Sequence, residues 1–318
     1  MRPNPRLPLT LLAALFVAAG GVASAHPVTV ENCGRALRFE APPERAVAHD
    51  INMAEIMFAL ELQPRIVGLT GITGWYKTTP EFDAARGDIP ELAARNPSLE
   101  NILSADPDFL FAGWYYGMQP GGEVTPDTLA PFGVPVYVLS ESCVHLDQGR
   151  PDVSMDTLYG DVRAIATIFG VEDRAEVLIA EWEARVEAAR RETTSPLRVF
   201  LYDSGDEQPF TAGRFAMPTA LIEAAGGRNV IDDVAMSWGR VGWETVGERD
   251  PEFIIVLDYG EDGGAGLIAF LEAHPVMSTV AAVRNGRFLP LKYSEITPGP
   301  ANIGAIEKLA AALAAHGG

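Results

Sequence analysis

The sequence predicts an α/β protein of two lobes with mostly parallel sheets, joined by one long helix and enclosing a ligand cleft between them. Three observations carry this. First, one phrase occurs in both halves: Glu100-Asn-Ile-Leu-Ser-Ala-Asp106-Pro-Asp-Phe-Leu-Phe and Glu244-Thr-Val-Gly-Glu-Arg-Asp250-Pro-Glu-Phe-Ile-Ile. In each copy a Glu opens a short helical stretch, and an Asp-Pro pair ends it because proline disfavours helix in the residue before it. An apolar run follows, Phe109 to Ala112 and Phe253 to Leu257, of the kind that forms a buried strand. The copies lie much further apart than any solenoid period, so they mark a duplicated α/β unit. Second, short strands and helices alternate along both halves, the pattern of parallel sheets. Third, a helix expected from about Asp173 to Thr193 carries Leu178, Ile179, Trp182, Val186 and Ala189 on one face and Glu and Arg on the other. A helix of about 20 residues is about 30 Å long, enough to run the height of both lobes.

In order along the chain, residues 1–25 read as an export signal. Arg2 and Arg6 precede an apolar stretch from Leu7 to Val17, and Val22-Ala-Ser-Ala25 supplies an Ala-x-Ala cleavage site before His26. The apolar core is shorter than the roughly 20 residues of a membrane span, and no Cys follows the site to carry a lipid. The N-terminal lobe, 26–153, opens with a hairpin from Val28 to Phe39. Next come the strand Ala46-Val-Ala-His49, a helix from about Met53 to Leu60 and the strand Ile66-Val-Gly-Leu69. A loop bearing Trp75 and Tyr76 leads to the first repeat, and the strand Val134 to Leu139 closes the lobe. Linking helices occupy 154–194, the first from Met155 to Phe169, with Gly170 as the break before the second. The C-terminal lobe, 195–318, begins where Ser195-Pro196 ends the helix and Leu197 to Tyr202 starts a strand. A helix near Met217 to Ala225, strands at Phe253 to Leu257 and Arg287 to Leu291, and a last helix from about Ile303 to Ala315 complete it.

Composition narrows the function. The net charge of -19 becomes more negative still once the signal and its two Arg are removed. Such acidity argues against nucleic acid or an anionic membrane surface as partner; solvation of the surface in a saline habitat is the other reading. The two cysteines, Cys33 and Cys143, form an even count in an oxidising compartment, which favours a disulfide tying the mature N-terminus to the end of the first lobe over two separate buried thiols. The five His (His26, His49, His145, His274, His316) include no His-rich loop, so a dedicated bare-metal site, which needs several converging ligands, is disfavoured. Gly-x-Ser-x-Gly, a Gly-rich phosphate loop and a zinc-protease helix are all missing from the sequence, so no enzyme motif is in view.

In open α/β sheets ligands sit beyond the carboxyl ends of the strands, so the loops there are where binding residues belong. Trp75, Trp114, Trp238 and Trp243 fall in or near such loops, with Tyr76, Tyr115, Tyr116, Tyr202, Tyr259 and Tyr293, and Phe210 lies in the same region. Flat aromatic surfaces with polar edges suit a bulky ring-containing ligand better than an ion or a simple sugar acid; for each one, a place in the core is the competing role. Charged residues nearby are His49, Asp50, Lys77, Glu141, Asp203, Arg214, Arg240 and Lys292. Arg240, between Trp238 and Trp243, is the preferred contact for an anionic group because guanidinium forms a planar fork of donors, with an ion pair to the protein as its alternative. His49, at the end of the first strand, is a candidate contact for ligand or chelated metal, or an internal hydrogen-bonding residue.

The entry Pro42-Pro-Glu-Arg45-Ala-Val, the helix Glu55-Ile-Met-Phe-Ala-Leu-Glu-Leu followed by Arg65-Ile-Val-Gly68, and both Glu…Asp-Pro units together resemble the substrate-binding proteins of ABC importers. The resemblance is to the class whose lobes are joined by a long helix, which includes ferric-siderophore, haem and cobalamin binders, and it runs from about Cys33 to the C-terminus. Asn32-Cys-Gly, Cys143 and Tyr202-Asp-Ser-Gly-Asp…Pro209-Phe-Thr-Ala-Gly213 further resemble a subgroup described as importers of iron complexes or of a deazaflavin cofactor precursor. The resemblance implies that Glu100 and Glu244, one per lobe, meet Arg residues of the permease; favouring a helix N-terminus through the dipole is the other role for each. The expectation is a monomeric periplasmic receptor with no catalysis and no cofactor of its own. It captures a metal chelate, a ferric siderophore first, and delivers it to an ABC permease and its ATPase. Haem, a corrinoid or another cofactor precursor are the alternatives, with a free metal ion a less favoured one.

Overall fold

The computed structural model describes residues 26–75, 78–147, 149–190, 195–259 and 263–316, with Trp75 described by its backbone alone. In the N-terminal lobe β1 (Val28–Asn32) and β2 (Arg35–Phe39) form an antiparallel hairpin. Then come β3 (Ala46–His49), α1 (Ile51–Ala59), β4 (Ile66–Thr70), α2 (Pro80–Arg86), β5 (Glu91–Ala93), α3 (Leu99–Leu103), β6 (Phe109–Trp114), β7 (Gly117–Met118), α4 (Pro126–Leu129) and β8 (Val136–Val138). Their parallel sheet has the order β5-β4-β3-β6, with β7 and β8 both pairing β6. Strands β3 and β6 are buried along their whole length, as expected where helices cover both faces of a parallel sheet.

Two helices, α5 (Met155–Phe169) and α6 (Glu172–Ala189), lead to the C-terminal lobe. This lobe holds β9 (Arg198–Tyr202), β10 (Phe210–Ala212), α7 (Met217–Ala224), β11 (Arg228–Asn229), β12 (Trp238–Arg240), α8 (Trp243–Arg249), β13 (Phe253–Asp258), α9 (Ala265–Ala273), α10 (Ala281–Arg284), β14 (Phe288–Lys292), α11 (Tyr293–Ile296) and α12 (Ala301–His316). Its parallel sheet has the order β11-β9-β13-β14, and β10 and β12 pair antiparallel beside it. The expected α/β architecture of two lobes is the one observed.

The repeated phrase does the same structural work twice. Asp106 and Asp250 end α3 and α8 in the left-handed region, at φ 48 and 41. An arginine that enters the first central strand of each lobe then satisfies the carbonyls released there. Arg45 donates to Asp106 and Ala105 at 2.7 and 2.6 Å, and Arg198 donates to Asp250 and Arg249 at 2.9 and 3.1 Å. The acid after each Asp-Pro answers in return: Asp108 accepts the backbone N–H of Arg45 and Glu252 that of Arg198. Orphan carbonyls at a helix end need such partners.

Helix α5 stops at Gly170, which takes φ 71, and α6 turns back. Near its start Arg174 donates to the Ala59 carbonyl at 2.8 Å and pairs with Glu61 in the first lobe. Near its end Arg185 holds Glu307 of α12 through two bonds of 2.8 Å. The helix therefore spans both lobes; its expected last residues, 191–194, lie outside the described residues. One continuous apolar core runs from Ile56 and Ile165 through Trp182 to Leu221 and Ile306. Cys33 and Cys143 form a disulfide that ties the β1–β2 turn to the segment after β8. Beside it, the Asn32 side chain bonds both the N–H and the C=O of Val138 at 2.7 Å, as a neighbouring strand would.

Candidate ligand cleft

The carboxyl ends of the two sheets meet around a cavity of about 490 Å³, within the range of small-molecule sites. Tyr115, Tyr116 and His145 line it from the first lobe; Asp203, Phe210, Trp238, Tyr259, Tyr293 and Thr297 line it from the second. A larger groove of about 640 Å³ lies outside the hairpin, lined by Arg35, Arg38, Asp108 and Val134 among others. It adjoins the amino ends of β6 and β8, the wrong end of the sheet for a ligand of this fold, and lacks the convergence of aromatic rings.

The N-lobe wall is a tight turn out of β6. Gly113 and Tyr116 exchange backbone bonds of 2.8 and 2.9 Å, and the Tyr115 N–H bonds to Met118. Tyr115 consequently sits at φ 64 and is 62% exposed at the mouth, and residues held in such sparsely populated backbone conformations cluster at ligand-binding sites. Its ring meets the edge of His145 at 4.5 Å. Burial lowers the His145 pKa, favouring the neutral imidazole. On the C-lobe wall the β10–β12 pairing sets Phe210 opposite Arg240. Phe210 stacks on Trp238 at 5.9 Å and 20°, and the Arg240 guanidinium lies 5.7 Å over the Phe210 ring while donating to the Gln208 carbonyl. The buried Trp238 indole nitrogen makes no hydrogen bond of good geometry among the described residues, yet it lies close enough to Glu141 to favour its charged form.

Three tyrosines of the wall each lean on a carboxylate. Tyr116 donates to Glu141 at 3.2 Å, Tyr293 to Asp50 at 2.8 Å, and Tyr259 to Asp203. Two of these pairs cross or brace the lobe boundary. Glu141 also accepts the backbone N–H of Met217, at the start of α7, and Asp50, which caps α1, reaches α11 through Tyr293. Burial first, and then the neighbouring acids, raise the pKa of all three phenols. Burial pushes the Glu141 carboxyl up to about 7 against the bonds it accepts from Met217 and Tyr116.

The remaining sequence candidates are spread more widely. His49, 2% exposed, lies behind the wall and bonds Thr70 at 2.8 Å. Gly71 and Gly117 press on its ring so closely that a Cβ at either would come within 2.4 or 2.5 Å of it. Trp114 is buried in the first lobe. Trp243 is buried in the second, donating to the Asp206 carbonyl at 2.8 Å and packing on Tyr202 and His274. Arg214 pairs with Asp152 at 3.0 Å and, like Arg240, does not line the cavity. Tyr76 and the Trp75 side chain lie outside the described residues. Glu100 and Glu244 are exposed in the first turns of α3 and α8. Sequence reasoning did not single out His145 or Thr297; the only signal for His145 was its place two residues after Cys143, beyond a strand end. Among the described residues, no three His, Cys, Asp or Glu side chains converge as a metal site, and no helix is long and apolar enough to cross a membrane.

Known proteins match this arrangement. The vitamin B12-binding protein of Pectobacterium atrosepticum is 24% identical over 225 residues, covering 68% of this chain and 72% of its own. A periplasmic binding protein from Veillonella parvula superposes with a TM-score of 0.77 at 27% identity, covering 90% of this chain and 96% of its own. An ABC-type Fe3+-hydroxamate transport system structure from Saccharomonospora viridis gives 0.76 at 25%, covering 90% and 98%. Residues 47–293 match the periplasmic binding protein family model, and the chain belongs to that family.

Proposed function

We propose that this protein is the soluble substrate-binding component of an ABC importer, exported by a cleaved signal at residues 1–25, and that it captures a metal chelate between its lobes for delivery to a permease and its ATPase. The observation that carries this is the aromatic cavity of about 490 Å³ between the lobes, lined from both of them. A ferric siderophore, a corrinoid and haem are the ligand classes the similarities support, because structural neighbours are named for Fe3+-hydroxamate transport and for haem binding and a relative for vitamin B12 binding. Other cofactor precursors come next, and a free metal ion last. In this reading the metal arrives inside the ligand, the protein keeps no cofactor, works as a monomer and performs no covalent chemistry. Glu100 and Glu244 dock it on the permease. Titration of the mature protein against ferric siderophores, cobalamin, haem and free metal ions, followed by tryptophan fluorescence, tests this. Saturable quenching by one chelate is expected, with affinity at least about tenfold weaker in Trp238→Ala, since an aromatic anchor in a buried pocket commonly carries that much. A response to free ions only would overturn the reading.

A further inference from the structure

Resting on the chelate reading, one buried acid ties the two walls of the cleft together. Glu141 is 1% exposed and sits in the short segment Ser140–His145 after β8. Donors reach it from both lobes. The Tyr116 hydroxyl donates at 3.2 Å from the first lobe, and the Met217 backbone N–H at 2.9 Å from the second. The Trp238 indole N–H, also of the second lobe, stands close enough to favour the charged form of the acid. Tyr116 and Trp238 both line the cavity. The segment that carries Glu141 is fixed on its other sides. Asp161 of α5 accepts the Ser140 hydroxyl at 2.6 Å, Ser142 accepts the Trp114 N–H at 3.0 Å, and Cys143 is bonded to Cys33. The acid thus has a rigid mount in one lobe and holds a backbone and a ring of the other.

We infer that Glu141 is a positioning residue for ligand binding: as a carboxylate it receives Tyr116, Met217 and Trp238 together, and so sets the two cavity walls in place before the ligand arrives. A carboxylate only accepts, whereas a carboxylic acid must also donate. A proton on the oxygen that faces Tyr116 turns that bond round. The acid then donates to the phenol oxygen, the phenol proton loses its partner and the indole loses its acceptor. Walls that the ligand itself must order bind it more weakly, because fixing side chains at the moment of binding costs affinity. Burial pushes the Glu141 carboxyl up to about 7, so the walls are held above neutral pH and loosened below it. The titratable groups around it are Tyr116 on the turn out of β6, Asp161 on α5 and His145 at the end of its own segment; α7 and β12 face it with the Met217 backbone and the Trp238 indole. Burial raises the Tyr116 pKa, raises Asp161 to about 6 and lowers His145, so none of the three shares the Glu141 midpoint.

A pH titration of tryptophan emission on the mature, ligand-free protein tests the arrangement by itself. The wild type should show a step with its midpoint near 7. Trp238→Phe should lack the step, and Glu141→Gln should lack it while keeping the emission of the acid side. Tyr116→Phe, which removes one donor and keeps the ring, should move the midpoint upward, and it decides the matter should Glu141→Gln fail to fold. Calorimetry then reads the effect on binding with ferrioxamine B, cyanocobalamin and haem as probes. For whichever binds, wild-type affinity should be about fivefold higher at pH 8 than at pH 6, whereas Glu141→Gln should bind within about twofold at the two. No step near 7 in the wild type, a step that survives in Glu141→Gln, an unmoved midpoint in Tyr116→Phe, or the same pH ratio in Glu141→Gln as in the wild type would overturn the inference and leave chelate capture standing. Binding of no probe would overturn chelate capture, and the emission step would still decide whether Glu141 holds the walls.

Discussion

Glu55 faces the buried side of α1, and its Oε2 makes no hydrogen bond among the described residues. Burial, and then the charges of Asp50 and Glu295, push its carboxyl up to about 7. Between about 4.5 and 7 the folded chain therefore holds a proton that the unfolded chain has released. Stability from this group is full below pH 4.5 and is lost as pH rises through 7. Glu55→Gln removes the titration, so it should raise the melting temperature at pH 8 by about 2–4 °C and flatten the slope between pH 5 and 8; an unchanged slope in thermal melts would count against the assignment. Which aromatics reach the cleft was only half legible in the sequence. Tyr115, Tyr116, Phe210, Trp238, Tyr259 and Tyr293 come together as loop position suggested. Trp114 fails to because strand residues alternate faces. It shares its face of β6 with Leu110 and Ala112, inside the lobe. Trp243 likewise shares a helical face with Val246. Both facts depend on where the element begins, which a single sequence leaves loose by a residue or two.

At the scale of the element, the repeat was the strongest signal, and its hydrogen bonds explain why the same letters recur. Asp-Pro stops the helix, the following acid grips the entry to the first central strand, and the arginine there closes the helix end. Arg198→Ala should cost about 1–3 kcal/mol by urea unfolding, because it leaves the carbonyls of Arg249 and Asp250 without their donor; a change below about 0.5 kcal/mol would show that water replaces the guanidinium at no loss. The larger elements were legible because their apolar runs are long: α5 has the limits expected, and β3, β9 and β13 lie within a residue of theirs. The β10–β12 pair was not. Three residues carry no period to read, although this pair places Phe210 and Trp238 in the cleft.

For the whole molecule, the decisive feature is that the two lobes are not independently packed. Core residues continue from α1 through α5 and α6 into α7 and α12, and three bonds cross near the cleft: Tyr293 to Asp50, Asn52 to the Pro298 carbonyl, and Met217 to Glu141. Wide hinging would have to open this core, so X-ray scattering with and without bound chelate should give radii of gyration that agree within error; contraction on binding of the size seen for hinge-closing proteins would refute this. Charge reversal at Glu100 or Glu244 should leave ligand affinity unchanged and reduce uptake in reconstituted vesicles, with the double reversal losing most of it; undiminished uptake by the double variant would remove these acids from docking. Both acids stand where a short helix begins its run back from the cleft side of a sheet, and each such helix is pinned at its far end by the same arginine device. Three cavity residues come from one lobe and six from the other. The duplication is thus kept at the two helix starts and their arginine clamps, whereas around the cavity the two lobes share little beyond a tyrosine leaning on a carboxylate and contribute unequally: the repeat preserved its scaffold and let the enclosed surface diverge.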